Sequence, residues 1–420
     1  MLIKNLKGLM ATAVFGLIAG CGSTPLPPDR GCGVPGGLCA PALPNTSAPR
    51  PAPPPSEQRP SDTVTSPVEL YPGNGPGAQS SARPAANNGT ARIALLLPLQ
   101  SGSLVQAAEA VRAGFLAGHE RDRVGIEVTV IPSGDSPEST LDAYVRATEQ
   151  HDIIVGPLTR SAVAAVAASN AVTKPTLALN HPQSDRPLPQ QMLVVGLSLE
   201  DEARQVADWA AREHPHGSAL VLTGPAPWQQ RAVVAFTERW ARLQRNNANV
   251  ELPVLDGYVD GNSLSRLRAR LDTAPPQLVF AALDAGQLRQ VRSALGTSLP
   301  TYALSVANPG RAPGMSVPEL DGIRLVDVPW TVRPDHPQVM MYPRLVDAES
   351  LDMQRLYALG IDAFRVAREL AQRPGADFEL DGVTGRLSVR MNNGAWTLRR
   401  DEAAAVYRDG IGFEAATSAQ

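Results

Sequence analysis

Uninterrupted apolar runs of strand length recur along the sequence from residue 93 onward. They occupy positions 93–97, 153–155, 219–222 and 278–283, and polar or turn-forming residues separate them. Continuous runs, rather than alternating ones, are typical of parallel strands that are covered on both faces. The pattern therefore predicts buried parallel strands at these positions.

Segments with helical periodicity lie between these runs. Leu104, Ala108, Val111 and Phe115 follow one another at spacings of four, three and four residues, which places them on one helix face. Three further stripes repeat the pattern: Ala203, Val206, Ala207 and Ala210; Ala232, Phe236, Trp240 and Leu243; Leu359, Ala363, Val366 and Leu370. We interpret these stripes as core positions. Ser198, three residues before Asp201, is the predicted N-cap of the second stripe's helix.

The alternation of strands and helices predicts an α/β fold with parallel sheets. The length of the alternating region favours two sheets and therefore two lobes. Strands are expected near residues 92, 125, 152, 176 and 192 in the first sheet and near 218, 252, 277 and 301 in the second. A ligand cleft would lie between the lobes, at the carboxyl ends of the strands.

The first 20 residues have the pattern of a lipoprotein signal peptide. Lys4 and Lys7 precede an apolar run from 9 to 19, which is shorter than the roughly 20 residues that span a bilayer. Leu17-Ile18-Ala19-Gly20-Cys21 resembles the bacterial lipobox, which implies cleavage before Cys21 and its acylation. Several acyl chains on one residue give a stable membrane anchor. The alternative is an ordinary secretory signal followed by a chance cysteine.

Residues 21–90 read as a disordered linker rich in Pro, Gly and Ser. Prolines cluster at 25–28 and 49–55, and large apolar residues are sparse, so the segment cannot offset the entropy of ordering. An extended polyproline chain of this length would reach on the order of 200 Å, whereas a random coil would span about 45 Å. Gly22, rather than an aspartate, follows the cysteine, which favours the outer membrane.

Composition narrows the range of functions. The net charge of −3 provides no basic field for nucleic acid. Cys32 and Cys39 lie in the linker, where the periplasm would permit but not require a disulfide, and residues 91–415 contain no cysteine. His214 and His216 flank a proline without a third ligand nearby, so we expect no metal site. The sequence contains no Gly-x-Ser-x-Gly elbow, no Ser-x-x-Lys motif and no phosphate-binding glycine loop; we expect neither an enzyme nor a cofactor.

Several stretches together resemble a known family. Residues 93–99 and 110–115 are similar to the opening of type I periplasmic binding domains and, more narrowly, to the LppC/LpoA group of penicillin-binding protein activators. Further similar stretches are 155–158, 176–180, 196–203, 328–330, 357–364 and 382–388. The resemblance covers about three quarters of the chain. Each motif is weak alone, but their joint order and spacing are fairly specific.

The resemblance implies an outer-membrane lipoprotein whose domain faces the periplasm and stimulates a class A penicillin-binding protein. It also implies a two-lobed domain over 91–415: lobe 1 from 91–197 and 320–375, lobe 2 from 198–319 and 376–415. Longer family members carry a helical-repeat domain between the lipid and this domain. Here the linker occupies that position.

Hydroxyl and amide side chains after the first strands are candidate cleft residues. Ser101 and Ser103 follow the first strand, Thr159 and Ser161 open a helix, and Asn180 follows the strand at 176. Helix N-termini offer unpaired N–H groups to anions, so these residues could hold a ligand. The alternative is that Thr159 and Ser161 only cap their helix.

Three hypotheses follow for the function. The first is a regulatory lipoprotein that binds and activates a class A penicillin-binding protein. The second is a lipid-anchored solute-binding receptor for an amino acid or similar small anion. The third is a structural lipoprotein that binds peptidoglycan directly. The long linker favours the first, because reaching an inner-membrane synthase requires span.

Overall fold

The structure is a computed structural model that describes residues 89–415, except 185, 244, 256–257, 311–315, 346–349 and 410–411. The expected signal peptide, Cys21, Cys32, Cys39 and nearly all of the linker lie outside the described residues. No described helix is both long enough and apolar enough to cross a membrane.

The first sheet is entirely parallel and contains the five strands expected from the sequence. Its strands are β1 (Ala91–Leu97), β2 (Ile126–Pro132), β3 (Ile153–Val155), β4 (Thr176–Ala178) and β5 (Met192–Val194). They lie in the order β2-β1-β3-β4-β5. The helices between them are α1 (Val105–Arg121), α2 (Pro137–Gln150) and α3 (Arg160–Ala168).

The second sheet contains the other four expected strands and three more. The chain runs through α4 (Leu199–Glu213), β6 (Ala219–Thr223), α5 (Pro227–Arg242), β7 (Asn247–Glu251), a small hairpin of β8 (Val254–Leu255) and β9 (Tyr258–Val259), α6 (Gly261–Thr273), β10 (Leu278–Ala282), α7 (Ala285–Leu295), β11 (Thr301–Ala303) and β12 (Arg324–Asp327). The sheet is completed later by β16 (Ala403–Arg408) and β17 (Gly412–Ala415). Its order is β17-β16-β12-β11-β10-β6-β7. Strand β16 runs antiparallel to both of its neighbours, β12 and β17, and the other strands all run in one direction.

The chain between β12 and β16 returns to the first lobe. It forms α8 (Pro329–Val332), α9 (Pro337–Met340), α10 (Leu351–Gln372) and an antiparallel meander of β13 (Phe378–Asp381), β14 (Arg386–Asn392) and β15 (Ala395–Asp401). Two 3₁₀ turns, Ser305–Ala307 and Pro318–Leu320, precede β12.

The return segments correct the expected lobe boundaries. Residues 324–327, expected in lobe 1, form a strand of the second sheet, because they pair with β11 and β16. Residues 378–401, expected in lobe 2, belong to lobe 1, because Phe378, Leu387 and Trp396 pack into the core of the first sheet. The chain therefore crosses between the lobes after β5, after β12 and after β15.

Residues 93–97 of β1 are continuously apolar because helices pack on both faces of the sheet. Ile93 and Leu95 pack with α1 and α10 on one side of the sheet. Ala94 and Leu96 pack with α2 and α3 on the other side. Each of these four side chains is fully buried, and burial of one large aliphatic side chain contributes about 1.5–3 kcal/mol.

The predicted helical stripes form core contacts in both lobes. Phe236 of α5 stacks on Phe280 of β10 with ring centroids 4.0 Å apart, and Trp240 stacks on Phe236 at 5.4 Å. Ser198 is the N-cap of α4, as predicted, and its hydroxyl accepts the backbone N–H of Asp201 at 3.1 Å.

Helices α1 and α10 approach so closely that glycine is required on both. A Cβ atom at Gly114 would lie 1.9 Å from the carbonyl oxygen of Tyr357. A Cβ atom at Gly360 would lie 2.2 Å from the carbonyl oxygen of Val111. This backbone-to-backbone packing attaches α10 to the first lobe.

We expect Gly114→Ala to lower the free energy of unfolding by about 1–3 kcal/mol or more, because the two helix backbones must separate. Urea unfolding followed by circular dichroism measures this change. Gly261→Ala is the matched control: nothing lies within 4 Å of its Cβ position, so the change should stay within about 0.5 kcal/mol. Wild-type stability of Gly114→Ala would contradict the close packing.

Candidate functional site at the lobe junction

The candidate residues after β1 form a small hydroxyl cluster. Ser101 is buried, with 4% exposure. Its hydroxyl donates to Asp135 Oδ2 at 3.2 Å and accepts the Leu104 backbone N–H at 3.2 Å. Ser103 Oγ lies 3.4 Å from Ser101 Oγ. The structure therefore brings these two serines together, where Ser101 connects the loop after β1 to the loop after β2.

The candidate residues after β3 and β4 also have internal partners. Thr159 is the N-cap of α3 and accepts the Ala162 backbone N–H at 3.3 Å, and Ser161 Oγ lies 3.5 Å from Thr159 Oγ1. Asn180 donates through Nδ2 to the carbonyl oxygen of Leu158 at 3.1 Å. The capping role is thus observed for Thr159. A ligand-binding role for the five candidates stays a prediction.

A cluster of buried and half-buried charges, which sequence reasoning did not single out, lies where the chain crosses between the lobes. Its carboxylates are Glu202, Asp327, Asp362 and Glu402, and its guanidinium groups are Arg355 and Arg400. We call these six residues the junction cluster. The sequence did contain an indication for Asp362. This acidic residue interrupts the apolar run Gly360-Ile361-Asp362-Ala363-Phe364, in a helix whose neighbouring positions are predicted to be core.

Asp327 is the most enclosed member of the junction cluster, with 0% exposure. Arg355 binds it in a bidentate manner, with Nε 2.9 Å from Oδ1 and Nη2 2.7 Å from Oδ2. Asn308 Nδ2 donates to Oδ2 at 2.9 Å, and the Val328 backbone N–H donates to Oδ1 at 2.8 Å. Such charge-assisted bonds are stronger than bonds between neutral groups, so both carboxylate oxygens are well satisfied.

Glu202 lies beside this ion pair and accepts two hydrogen bonds from Ser305. The Ser305 backbone N–H is 2.8 Å from Oε2, and its hydroxyl is 2.9 Å from Oε1. Burial, followed by repulsion from Asp327, raises the pKa of Glu202 to about 8. Burial and the nearby Glu202 also raise the pKa of Glu402 well above its usual value. Desolvation favours the neutral acid in both cases.

Arg400, at the end of β15, connects two of the crossings. It donates to the carbonyl oxygens of Val195 at 2.6 Å and Gly196 at 2.8 Å. Its Nε donates to Thr384 Oγ1 at 3.1 Å, and that hydroxyl donates to Asp362 Oδ2 at 2.6 Å. This chain of bonds attaches the crossing after β5 to the meander and to α10.

Two depressions flank the crossing at 401–402. One has a volume of about 340 Å³ and the other about 400 Å³, and Asp401 and Glu402 line both. The charges of the smaller depression are largely matched, since Arg239 pairs with Asp208 at 2.7 Å and Arg399 with Asp401 at 2.8 Å. Glu402 Oε2 is buried and has no hydrogen-bond partner among the described residues.

The junction contains mutual contacts rather than a reactive constellation. Among the described residues, no group of three or more His, Cys, Asp or Glu side chains is arranged to hold a metal ion. The guanidinium groups contact carboxylates and carbonyl oxygens, and Glu202, Asp327 and Asp362 accept protein N–H donors. This arrangement suits the fixing of lobe geometry.

Two sheets with parallel strands and three chain crossings define a two-lobed domain of the type I periplasmic-binding-protein class. The chain belongs to the family described as "LppC putative lipoprotein", whose model matches residues 86–410.

Curated relatives of the same family have similar sequences. The penicillin-binding protein activator LpoA of Photobacterium profundum is 28% identical over 352 residues, which cover 76% of this chain and 56% of the relative. The protein of the same name from Haemophilus ducreyi is 27% identical over 314 residues, which cover 71% and 51%. The chain thus spans about half the length of the curated relatives it matches.

Solved structures have the same fold. A "putative branched-chain amino acid ABC transporter" from Chromobacterium violaceum is 32% identical with a TM-score of 0.63, and the match covers 76% of this chain and 100% of that one. The C-domain of Haemophilus influenzae LpoA, called "a regulator of PBP1A", is 23% identical with a TM-score of 0.62 and covers 78% and 100%. The second likeness supports the fold alone.

The raised pKa of Glu202 predicts a pH-dependent stability. The folded state holds the proton up to about pH 8, whereas an unperturbed carboxyl loses it near 4.5. The stabilisation is therefore complete below 4.5 and is lost as pH rises toward 8, by up to about 1.4 kcal/mol per pH unit.

We expect Glu202→Gln to reduce this decline in the free energy of unfolding, measured by urea unfolding at a series of pH values between 4.5 and 8. Glu149→Gln, at an exposed position of α2, should keep the wild-type pH profile. An unchanged profile in Glu202→Gln would show that Glu202 does not carry the effect.

Proposed function

We propose that this chain is a lipid-anchored periplasmic protein that binds and activates a class A penicillin-binding protein. The observation that carries the proposal is the sequence similarity to relatives that are named as penicillin-binding protein activators, over 71–76% of this chain. The matched part is the two-lobed domain, because the family model spans residues 86–410. We place the contacts with the synthase on this domain.

The chemistry of the junction supports a regulatory role over an enzymatic one. A catalyst would need a nucleophile, base or metal facing open space. The described carboxylates Asp327 and Glu202 instead accept hydrogen bonds from Arg355 and Ser305. The proposed protein acts by contact with its partner, and the bond-making chemistry belongs to the synthase.

The lipid anchor and the linker complete the proposal. Acylation of Cys21 would hold the chain at the outer membrane, with the domain facing the periplasm. Residues 21–90 would let the domain reach toward a synthase in the inner membrane, and direct contact with peptidoglycan would be compatible with that path.

The solute-receptor alternative is favoured by one observation. The Chromobacterium violaceum structure, which is 32% identical, carries the name of a branched-chain amino acid transporter. A receptor of that kind holds its ligand between the lobes. In this chain Ser101, Thr159 and Asn180 have protein partners, which favours the activator.

The decisive assay combines the full-length chain with a class A penicillin-binding protein of the same organism. We expect direct binding, together with increased cross-linking of a lipid-linked peptidoglycan precursor. Heat-denatured chain serves as the control. Absence of both binding and increased cross-linking would contradict the proposal, and thermal stabilisation by leucine or glutamate would then support the receptor alternative.

The anchor has a separate test. We expect wild-type chain expressed in its own cell envelope to incorporate an alkyne-labelled palmitate and to fractionate with the outer membrane. Cys21→Ser should lose both the label and the membrane association, because the thiol that receives the lipid is absent. Cys32→Ser is the matched control and should keep both. Full labelling of Cys21→Ser would exclude this residue as the anchor.

A further inference from the structure

Arg355 belongs to one lobe and binds the other. It lies in the second turn of α10, the helix that packs on α1 of the first lobe through Gly114 and Gly360. Both acceptors lie in the second lobe: Asp327 ends β12, and Ser305 lies just after β11. The guanidinium group therefore crosses the junction, and its side chain is only 9% exposed.

Every nitrogen of this guanidinium has an acceptor. Nε and Nη2 bind Asp327 at 2.9 and 2.7 Å, and Nη2 also donates to the Ser305 carbonyl oxygen at 2.8 Å. Nη1 donates to Asp352 Oδ1 at 2.8 Å. Rigid, planar donor geometry makes such a site selective for a guanidinium over an ammonium group.

The position of these acceptors in the fold is that of a ligand site. Ligands of open α/β sheets bind outside the carboxyl ends of the strands. Asp327 is the last residue of β12, and Ser305 follows β11 after one intervening residue. A charged side chain of the chain itself thus occupies the region where a bound solute would connect two lobes.

We propose that Arg355 acts as a built-in cationic ligand, which holds the two lobes in one arrangement without any bound solute. The surface that spans both lobes is then already formed before a partner binds. A solute receptor differs, because its closed form depends on a ligand that binds the closed arrangement more tightly.

Removal of the guanidinium should open the junction. Without Arg355 the buried Asp327 carboxylate has no compensating charge, and an unpaired buried charge is strongly unfavourable. Entry of water between the lobes relieves this cost, so a more open arrangement becomes populated. Added guanidinium ions should occupy the vacated site and restore the original arrangement.

The test measures the distance between the lobes in the full-length chain. Val145 of α2 and Val234 of α5 lie in different lobes and are exposed, at 41% and 55%. Both are replaced by cysteine for spin labelling, and the native cysteines are replaced by serine. Double electron–electron resonance should give one narrow distance distribution that leucine and glutamate leave unchanged. Arg355→Ala should add a population at a different distance, and millimolar guanidinium chloride should reduce it.

The matched control is Arg368→Ala, on the same helix, whose side chain is 31% exposed and pairs with the neighbouring Glu369 at 3.7 Å. It should keep the wild-type distribution. If Arg355→Ala does not fold, Arg355→Lys is measured in its place. Lysine keeps the positive charge but lacks the planar guanidinium group, so we expect a broader distance distribution. A wild-type distribution in the variant tested, or a shift of the wild type by either amino acid, would overturn the proposal.

The result is independent of the proposed activity, since no synthase is present. If Arg355 holds the lobes in one arrangement but the chain does not bind a synthase, only the activator proposal is contradicted. If the chain binds a synthase while its lobes open freely, only the proposed role of Arg355 is contradicted.

Discussion

Where the chain crosses between the lobes, carboxylates and guanidinium groups are removed from water together. An ionised group in such surroundings is stable only if its hydrogen bonds and charge are matched. Asp327 meets this condition through Arg355, and Asp362 meets it through the backbone N–H groups of Val383 and Thr384. Glu202 avoids the cost of a buried charge, because its raised pKa keeps it protonated up to about pH 8. Of these contacts, the one between Arg355 and Asp327 joins the two lobes, so the relative position of the lobes depends on it.

The rest of the fold places these charges. The glycine contact between α1 and α10 attaches α10 to the first sheet and so positions Arg355. The end of β12 positions Asp327 in the second sheet. The same two-lobed architecture serves solute receptors, so the architecture alone does not define the function. In this chain, Ser305 after β11 and Asp327 at the end of β12 both accept hydrogen bonds from Arg355.

Local pattern predicted most of the architecture. The run 93–97 indicated a buried parallel strand, and Ser198 indicated a helix start, because both signals act within a few residues. The pairing of Asp327 with Arg355 joins residues 28 positions apart, and no local period encodes it. The placement of 324–327 and 378–401 was wrong for the same reason: an apolar strand fits either sheet until its neighbours are known. The five candidate cleft residues follow β1, β3 and β4 in the chain, and their internal partners depend on loop geometry that no local pattern encodes.

We propose that this domain binds a synthase as a preformed body. Hydrogen–deuterium exchange of the full-length chain tests it directly, in the presence of a class A penicillin-binding protein and separately with leucine or glutamate. We predict protection of surface segments of the two-lobed domain with the synthase, while neither amino acid alters exchange at the junction. Protection between the lobes by an amino acid, with none by the synthase, would contradict the account.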